Sequence, residues 1–193
     1  MTSWLSTLID HDRIADSAVA PEASTVAVGA VKVPVWTLKP PKVNRPLAEL
    51  GRHLFFDTRL AGDLGRSCAS CHMPTRGWAD GRPLSRAYPG SDYFRNAPGL
   101  MNVALRQRLM WDGRLDGTDL PTAVRDMVTE AHFMNADGRL VQERIVQVRE
   151  YRQLWDQVWG VSSAIYGPQL FVAVGEFLKT LNSRGAPIDG YLR

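Results

Sequence analysis

Apolar residues recur at helical spacing in several separate stretches of this chain, and the intervals between the stretches are long. "PLAELGRHLFF" places Leu47, Leu50, Leu54 and Phe55 on one face, with Pro46 well suited to a first turn. "GTDLPTAVRDMVTEAHF" does the same with Leu120, Val124, Met127 and Val128, and Pro121 is tolerated near its start. "ADGRLVQERIVQVREY" aligns Leu140, Val141, Ile145 and Val148, and "YRQLWDQVWG" continues into a short helix that stops at Gly160. In "GPQLFVAVGEFLKTLNSRG" the stripe is Leu170, Phe171, Val174, Phe177, Leu178 and Leu181, with Pro168 in the first turn and Gly185 past the end. This pattern predicts an all-α fold.

Two regions lack that pattern. Residues 1–45 are rich in Ala, Val and Pro and read as an extended arm with one short strand, "VKVPVW". Residues 57–117 hold many Gly, Pro, Asp and Arg, and long loops of this kind commonly carry function. No apolar run approaches the roughly 20 residues of a membrane helix. The opening "MTSWLSTLID" lacks the basic leader of a signal peptide, so the chain reads as a mature or trimmed form. Its formal net charge of +3 is no nucleic-acid footprint, though it favours acidic protein partners.

The chemistry concentrates in "RSCASCHMP", which contains both cysteines of the chain, Cys68 and Cys71, with His72 directly behind. A disulfide scaffold would use several bridges, and a core of this size needs none. Structural zinc needs four ligands, and there is no second cysteine pair. A thioredoxin-like redox pair belongs in a βαβ alternation that is not visible. Covalent haem attachment accounts for the spacing. Two thiols of a C-x-x-C turn add to the two haem vinyl groups, and the next residue aims an imidazole at the iron.

The surrounding motifs are specific. "ELGRHLFFDTRLAGDLGRSCASCHMPTRGWADGRPLS", "FRNAPGLMNVALRQRLMWDGR" and "EFLKTLNSRGAPIDGYLR" resemble the N-terminal haem domain of the bacterial di-haem cytochrome c peroxidase family. That family includes the methylamine-utilisation di-haem enzyme that matures a tryptophan-derived quinone. The resemblance runs over residues 46–193 and leaves the arm, residues 1–45, uncovered. It implies a cytochrome c-like haem domain with long loops and one covalent haem c on Cys68 and Cys71, with His72 as proximal ligand. The family carries two haem domains, each with its own C-x-x-C-H. This chain has one and ends at "DGYLR", where the family's linker begins. It is thus either a stand-alone single-haem protein or half of a longer chain.

Departures from the family refine the expectation. The loop histidine that ligates the resting peroxidatic iron is absent from "RAYPGSD". The positions of the family's peroxide-cleaving glutamine and glutamate fall near Ala123 and near His132 or Phe133. The residue before the Trp of WDGR is commonly Phe in N-terminal domains of the family; here it is Met110. In the family's electron-transfer domain the matching segment often reads Tyr-Met-His-Asp-Gly, and its methionine is the sixth iron ligand. Met110 is therefore the expected sixth ligand, with Met134 and His132 as rivals, while Met101 and Met127 read as core. The resemblance places Arg95 and Asn96 beside the haem, Arg95 against a propionate, and Trp111 between the family's two haems. His11 and His53 read as solvated.

These expectations describe a single-haem c-type cytochrome that transfers electrons with a redox partner protein or a larger redox complex. The alternative is a peroxidase-like domain with an open or displaceable sixth position, completed by a second haem subunit or domain. Thioether bonds are made outside the bacterial cytoplasm, so the expected location is the periplasm.

Overall fold

The computed structural model describes residues 41–183 apart from 89 and 162, together with the backbone of residues 24–28 and 31–35. The helices belong to one compact unit, Pro40–Arg184. Nearer the N-terminus, the strands β1 (Ser24–Val28) and β2 (Val31–Val35) pair antiparallel with Ser24 opposite Val35. The expected strand is thus one half of a hairpin. A two-stranded ribbon consists only of edges, which tolerate Pro34. His11 and Gly185 lie outside the described residues.

Helix α1 (Arg45–Phe56) starts where the Asn44 side chain accepts the Leu47 N–H at 3.2 Å, with proline in the first turn. It packs on α5 (Gly167–Leu178), the most apolar helix, which is buried along most of its length. The two backbones touch. A Cβ at Gly51 would collide with the Ala173 carbonyl oxygen, so only glycine permits the crossing. Burial of Glu176 is offset by polar partners, since its carboxylate accepts from Asn44 N at 2.5 Å and Lys179 Nζ at 2.7 Å.

Helix α2 (Leu120–Thr129) is capped by Asp119, whose side chain accepts from Thr122 N at 3.1 Å, and packs on α5 at Gly175. The pattern predicts helix as far as Phe133, but α2 stops earlier. The Glu130 carbonyl instead receives the N–H groups of Phe133 at 3.0 Å and Asn135 at 3.1 Å. This turn brings Phe133 and Met134 back against the body.

The stretch 136–151, expected as one helix, is divided between α3 (Gly138–Val146) and α4 (Arg149–Trp159). Val148 is extended between them. The break lets Tyr151 and Trp155 face the core, with Tyr151 Oη donating to Asp57 at 2.7 Å. Val141 and Ile145 are buried as expected, whereas Leu140 is 47% exposed. Helix α4 ends at Gly160 in a positive-φ conformation, as the sequence indicates.

Between α1 and α2 the chain runs through short 3₁₀ turns and one two-residue ribbon, β3 (Arg108–Leu109) with β4 (Leu115–Asp116). Such strands are too short to leave a periodic signal. An aromatic cluster of Phe55, Trp78 and Phe177, with ring centroids 5.2–5.9 Å apart, anchors this irregular segment to α1 and α5.

Candidate functional site

The cysteine pair sits on a 3₁₀ turn, Cys68–Ser70. Ser67 N donates to Ser70 Oγ at 3.0 Å, and the Cys68 carbonyl accepts from both Cys71 N (3.2 Å) and His72 N (3.0 Å). The turn therefore holds both thiols and the imidazole as one rigid unit. Neither cysteine is in a disulfide. Burial pushes the Cys68 thiol up to about 12, and burial together with the Asp80 carboxylate raises that of Cys71. Both are neutral thiols at physiological pH.

Behind His72 the chain makes a tight return. Met73 N donates to Ala79 O at 3.1 Å and Trp78 N to Met73 O at 2.9 Å, with Gly77 and Trp78 both at positive φ. The left-handed backbone of Trp78 is strained for a non-glycine residue, and its ring is locked in the aromatic cluster. The result is a Trp78 carbonyl 2.9 Å from His72 Nδ1. Burial pushes the His72 pKa down, only partly offset by that carbonyl, by the Asp80 carboxylate and by the Pro98 carbonyl, so the ring is neutral. The acceptor assigns the proton to Nδ1 and leaves Nε2 with its lone pair, the arrangement of a metal-ligating histidine.

Cys68, Cys71 and His72 line one cleft, which encloses about 1230 Å³ between atoms, some of it open to solvent. Helix α2 contributes Leu120, Ala123, Val124 and Met127, α5 contributes Val174 and Leu178, and the loops contribute Tyr93, Pro98 and Phe133. Arg66, Arg86 and Arg95 also line it, and none of its described lining residues is a carboxylate. The Nε of Arg66 is buried without a hydrogen-bond partner among the described residues. A largely apolar cleft with two thiols, one imidazole lone pair and three lining arginines, of which Arg95 alone has a carboxylate partner among the described residues, fits a flat macrocycle that bears acidic tails.

The other expected residues divide. Met110, Trp111, Arg95 and Asn96 all line the cleft. Met110 opens the turn between β3 and β4 at φ +68, and Trp111 is 60% exposed with Nε1 donating to Asn96 O at 2.9 Å. Arg95 Nη1 donates to Asp112 at 2.9 Å, which ties the same turn to the 95–96 segment. Met134 lines the cleft too, its Sδ 4.0 Å from Cys68 Sγ. Met127, read as core, is half-buried in the α2 wall. His132 is exposed and stands outside the cleft lining, with its carbonyl accepting from Tyr88 N at 2.9 Å. His53 is exposed against Glu49 at 3.2 Å. Sequence reasoning missed Arg66, because the burial of its Nε is a property of the fold. Tyr93 and Phe133 left no signal, because only the fold brings them to the wall.

Helices gathered about such a cleft, with C-x-x-C-H in its wall, define a cytochrome c-like haem domain. A MauG-like protein associated with microbial copper homeostasis shares this fold, with a TM-score of 0.73 and 26% identity over 80% of this chain and 47% of its own. The diheme peroxidase BthA of Burkholderia thailandensis matches with a TM-score of 0.59 and 26% identity, over 83% and 46% of the respective chains. The chain belongs to the di-haem cytochrome c peroxidase family, whose sequence profile matches residues 45–193. Cytochrome-c peroxidase IdrP2 of Denitromonas iodatirespirans is 52% identical over 172 residues, covering 89% of this chain and 46% of the relative. Methylamine utilization protein MauG of Methylophilus methylotrophus is 36% identical over 157 residues, covering 79% and 46%. The chain spans about half the length of these curated relatives. The family is one of c-type haem proteins, and among the described residues no helix is long and apolar enough to cross a membrane.

Proposed function

We propose that this chain is an electron-transfer haem domain. Cys68 and Cys71 would hold one haem c through thioethers, and the His72 imidazole and the Met110 sulfur would serve as its iron ligands. The observation that carries this reading is the neutral His72, tied through Nδ1 to the Trp78 carbonyl at 2.9 Å on the wall it shares with both thiols. When bound, the haem supplies one-electron chemistry, at a potential that thioether ligation raises by favouring the ferrous state.

The protein's own residues do the rest. The Trp78 carbonyl orients the imidazole and increases its basicity. The apolar side chains of α2 and α5 give the cleft an apolar wall. Met110 supports the electron-transfer reading because it offers a neutral, polarizable sulfur from a pinned turn. The turn is held by Asp112 and by the Trp111 indole, and Trp111 and Asn96 sit at the exposed side of the cleft, where electrons would enter or leave. The partner is a redox protein or a larger redox complex, and the location is the periplasm, where thioether attachment takes place.

A second reading is favoured by the comparisons. Relatives named as peroxidases are about twice as long as this chain, so the domain would work with a second haem domain. In that case Trp111, at the exposed side of the cleft, would stand on the side toward the second haem domain. The test of the attachment itself comes first. Acid–acetone treatment of the purified protein should leave one haem mass on the polypeptide, and its loss in that treatment would sink both readings.

A further inference from the structure

Resting on the haem reading above, we propose that Asp80 is a fixed negative charge on the His72 side of the haem site and that it lowers the reduction potential there. Two carboxylates are buried among the described residues, Asp80 at 3% exposure and Glu176 at 7%. Glu176 has a cation beside it, Lys179 Nζ at 2.7 Å. Asp80 forms no ion pair among the described residues, and its partners are neutral donors. Its Oδ1 accepts from Arg82 N at 3.0 Å, and its Oδ2 accepts from the Ser85 hydroxyl at 2.6 Å. Two accepting oxygens are the pattern of a carboxylate.

The fold fixes this group close to the iron-binding imidazole. Met73 and Ala79 pair as an antiparallel bridge, which sets Asp80 opposite His72. The Trp78 carbonyl that receives His72 Nδ1 is two residues earlier on the same return. Ser85 lines the cleft, and its backbone is tied on both sides: its N–H donates to Arg95 O at 3.1 Å, and its carbonyl accepts from Tyr93 N at 2.7 Å. The Asp80 charge is felt at the site, since it favours the protonated forms of both the His72 imidazole and the Cys71 thiol.

A buried charge without an ion-pair partner is costly, and a cationic centre in the cleft would relieve that cost. A ferric haem centre carries one more positive charge than a ferrous one. Asp80 therefore favours the oxidised state and lowers the potential, whereas thioether ligation by Met110 raises it. The result is a domain that gives up its electron more readily than sulfur ligation alone would allow.

The test is a spectropotentiometric titration of the haem-loaded chain at a single neutral pH. Asp80→Asn removes the charge and keeps the shape, because the amide oxygen can accept from Arg82 N while the amide nitrogen donates to Ser85 Oγ. At a fixed applied potential its ratio of reduced to oxidised haem should rise on the order of tenfold, or about 59 mV for a one-electron couple. Asp80→Glu restores the charge and should return most of that shift. A purely structural role moves the potential the other way, because a cleft loosened to water favours the more charged ferric state. An unchanged or lowered potential in Asp80→Asn therefore overturns the proposal, as does an equal rise in Asp80→Glu. If Asp80→Asn does not retain haem, Ser85→Ala decides. It strips one donor from the carboxylate and leaves the charge less compensated, so the potential should fall; no fall overturns the proposal. Loss of haem from both variants assigns Asp80 a structural role and overturns it too. A wild-type protein with no covalent haem overturns it together with the reading it rests on; a haem-loaded protein with an unmoved potential overturns it alone.

Discussion

Met110 carries the sharpest expectation at the scale of single residues. Three methionines, Met110, Met127 and Met134, line one cleft, so a place in its lining does not choose among them. Backbone and neighbours distinguish them. Met134 is 6% exposed and lies against Cys68 Sγ at 4.0 Å, beside the attachment edge. Met110 occupies a strained φ of +68 on a turn held by two side-chain hydrogen bonds, and strain of this kind persists where the surroundings over-determine it. Met110→Ala should turn the oxidised spectrum high-spin or water-ligated, lower the potential and speed imidazole binding. Met134→Ala should leave the spectrum nearly unchanged and cost about 2–5 kcal/mol of stability in denaturant unfolding. The reverse spectral result, with Met110→Ala still low-spin and Met134→Ala or Met127→Ala altered, would move the ligand away from Met110. At this scale Cys68, Cys71 and His72 were legible from the sequence, because their geometry is that of one local turn. Arg66 was not, because its need for a partner arises only when its Nε is buried.

At the scale of elements, the crossing of α1 and α5 decides whether the cleft has a back wall. Gly51→Ala drives a Cβ into the Ala173 carbonyl, a backbone atom that cannot swing away. The helices would have to separate, at a cost of about 1–3 kcal/mol or more. The expected outcome is a lowered midpoint in denaturant, with loosened packing around Phe55 and Phe177 seen in near-ultraviolet dichroism. An unchanged midpoint would show that the crossing is looser than its geometry. The helices themselves followed from apolar spacing, but their ends did not. Helix α2 was expected to reach Phe133, yet the Glu130 carbonyl draws in the N–H groups of Phe133 and Asn135. Periodicity cannot register that turn, since Phe133 and Met134 are apolar in either conformation. The single helix expected over 136–151 divides at Val148 for a related reason. Tyr151 and Trp155 can reach the core only if α4 takes a new direction.

For the molecule as a whole, the question is whether the cleft carries out peroxide chemistry or only passes electrons. The α2 wall presents Leu120, Ala123, Val124 and Met127, and the described lining holds no carboxylate. The exposed His132 and Glu130 stand outside it. General acid–base assistance is typically worth about 10²–10⁴-fold, so the chain should turn over hydrogen peroxide slower than a di-haem peroxidase by about that factor. Stopped-flow assay with a reduced electron donor checks this. Turnover comparable to a di-haem peroxidase would overturn the electron-transfer assignment and assign an acid–base role to His132 or Glu130. The same assay with a second haem domain present separates the single-haem reading from the di-haem one, because only the latter predicts a large gain.

The sequence by itself pointed to the chemistry and to the class. Thiol spacing, the adjacent imidazole and the run of apolar stripes are local features, set by covalent distance and helical period, and they point to a helical domain with covalent haem. The motifs around them point to the family that the comparisons then established. Tertiary structure decided which side chains share the cleft and in what state. It brings the Trp78 carbonyl to His72, sets Met110, Met127 and Met134 around one space, leaves Arg66 Nε without a partner among the described residues and keeps His132 outside. Those relations join residues across loops that have no period. Burial and hydrogen-bond satisfaction govern them, and both are properties of the packed chain rather than of any short stretch of it.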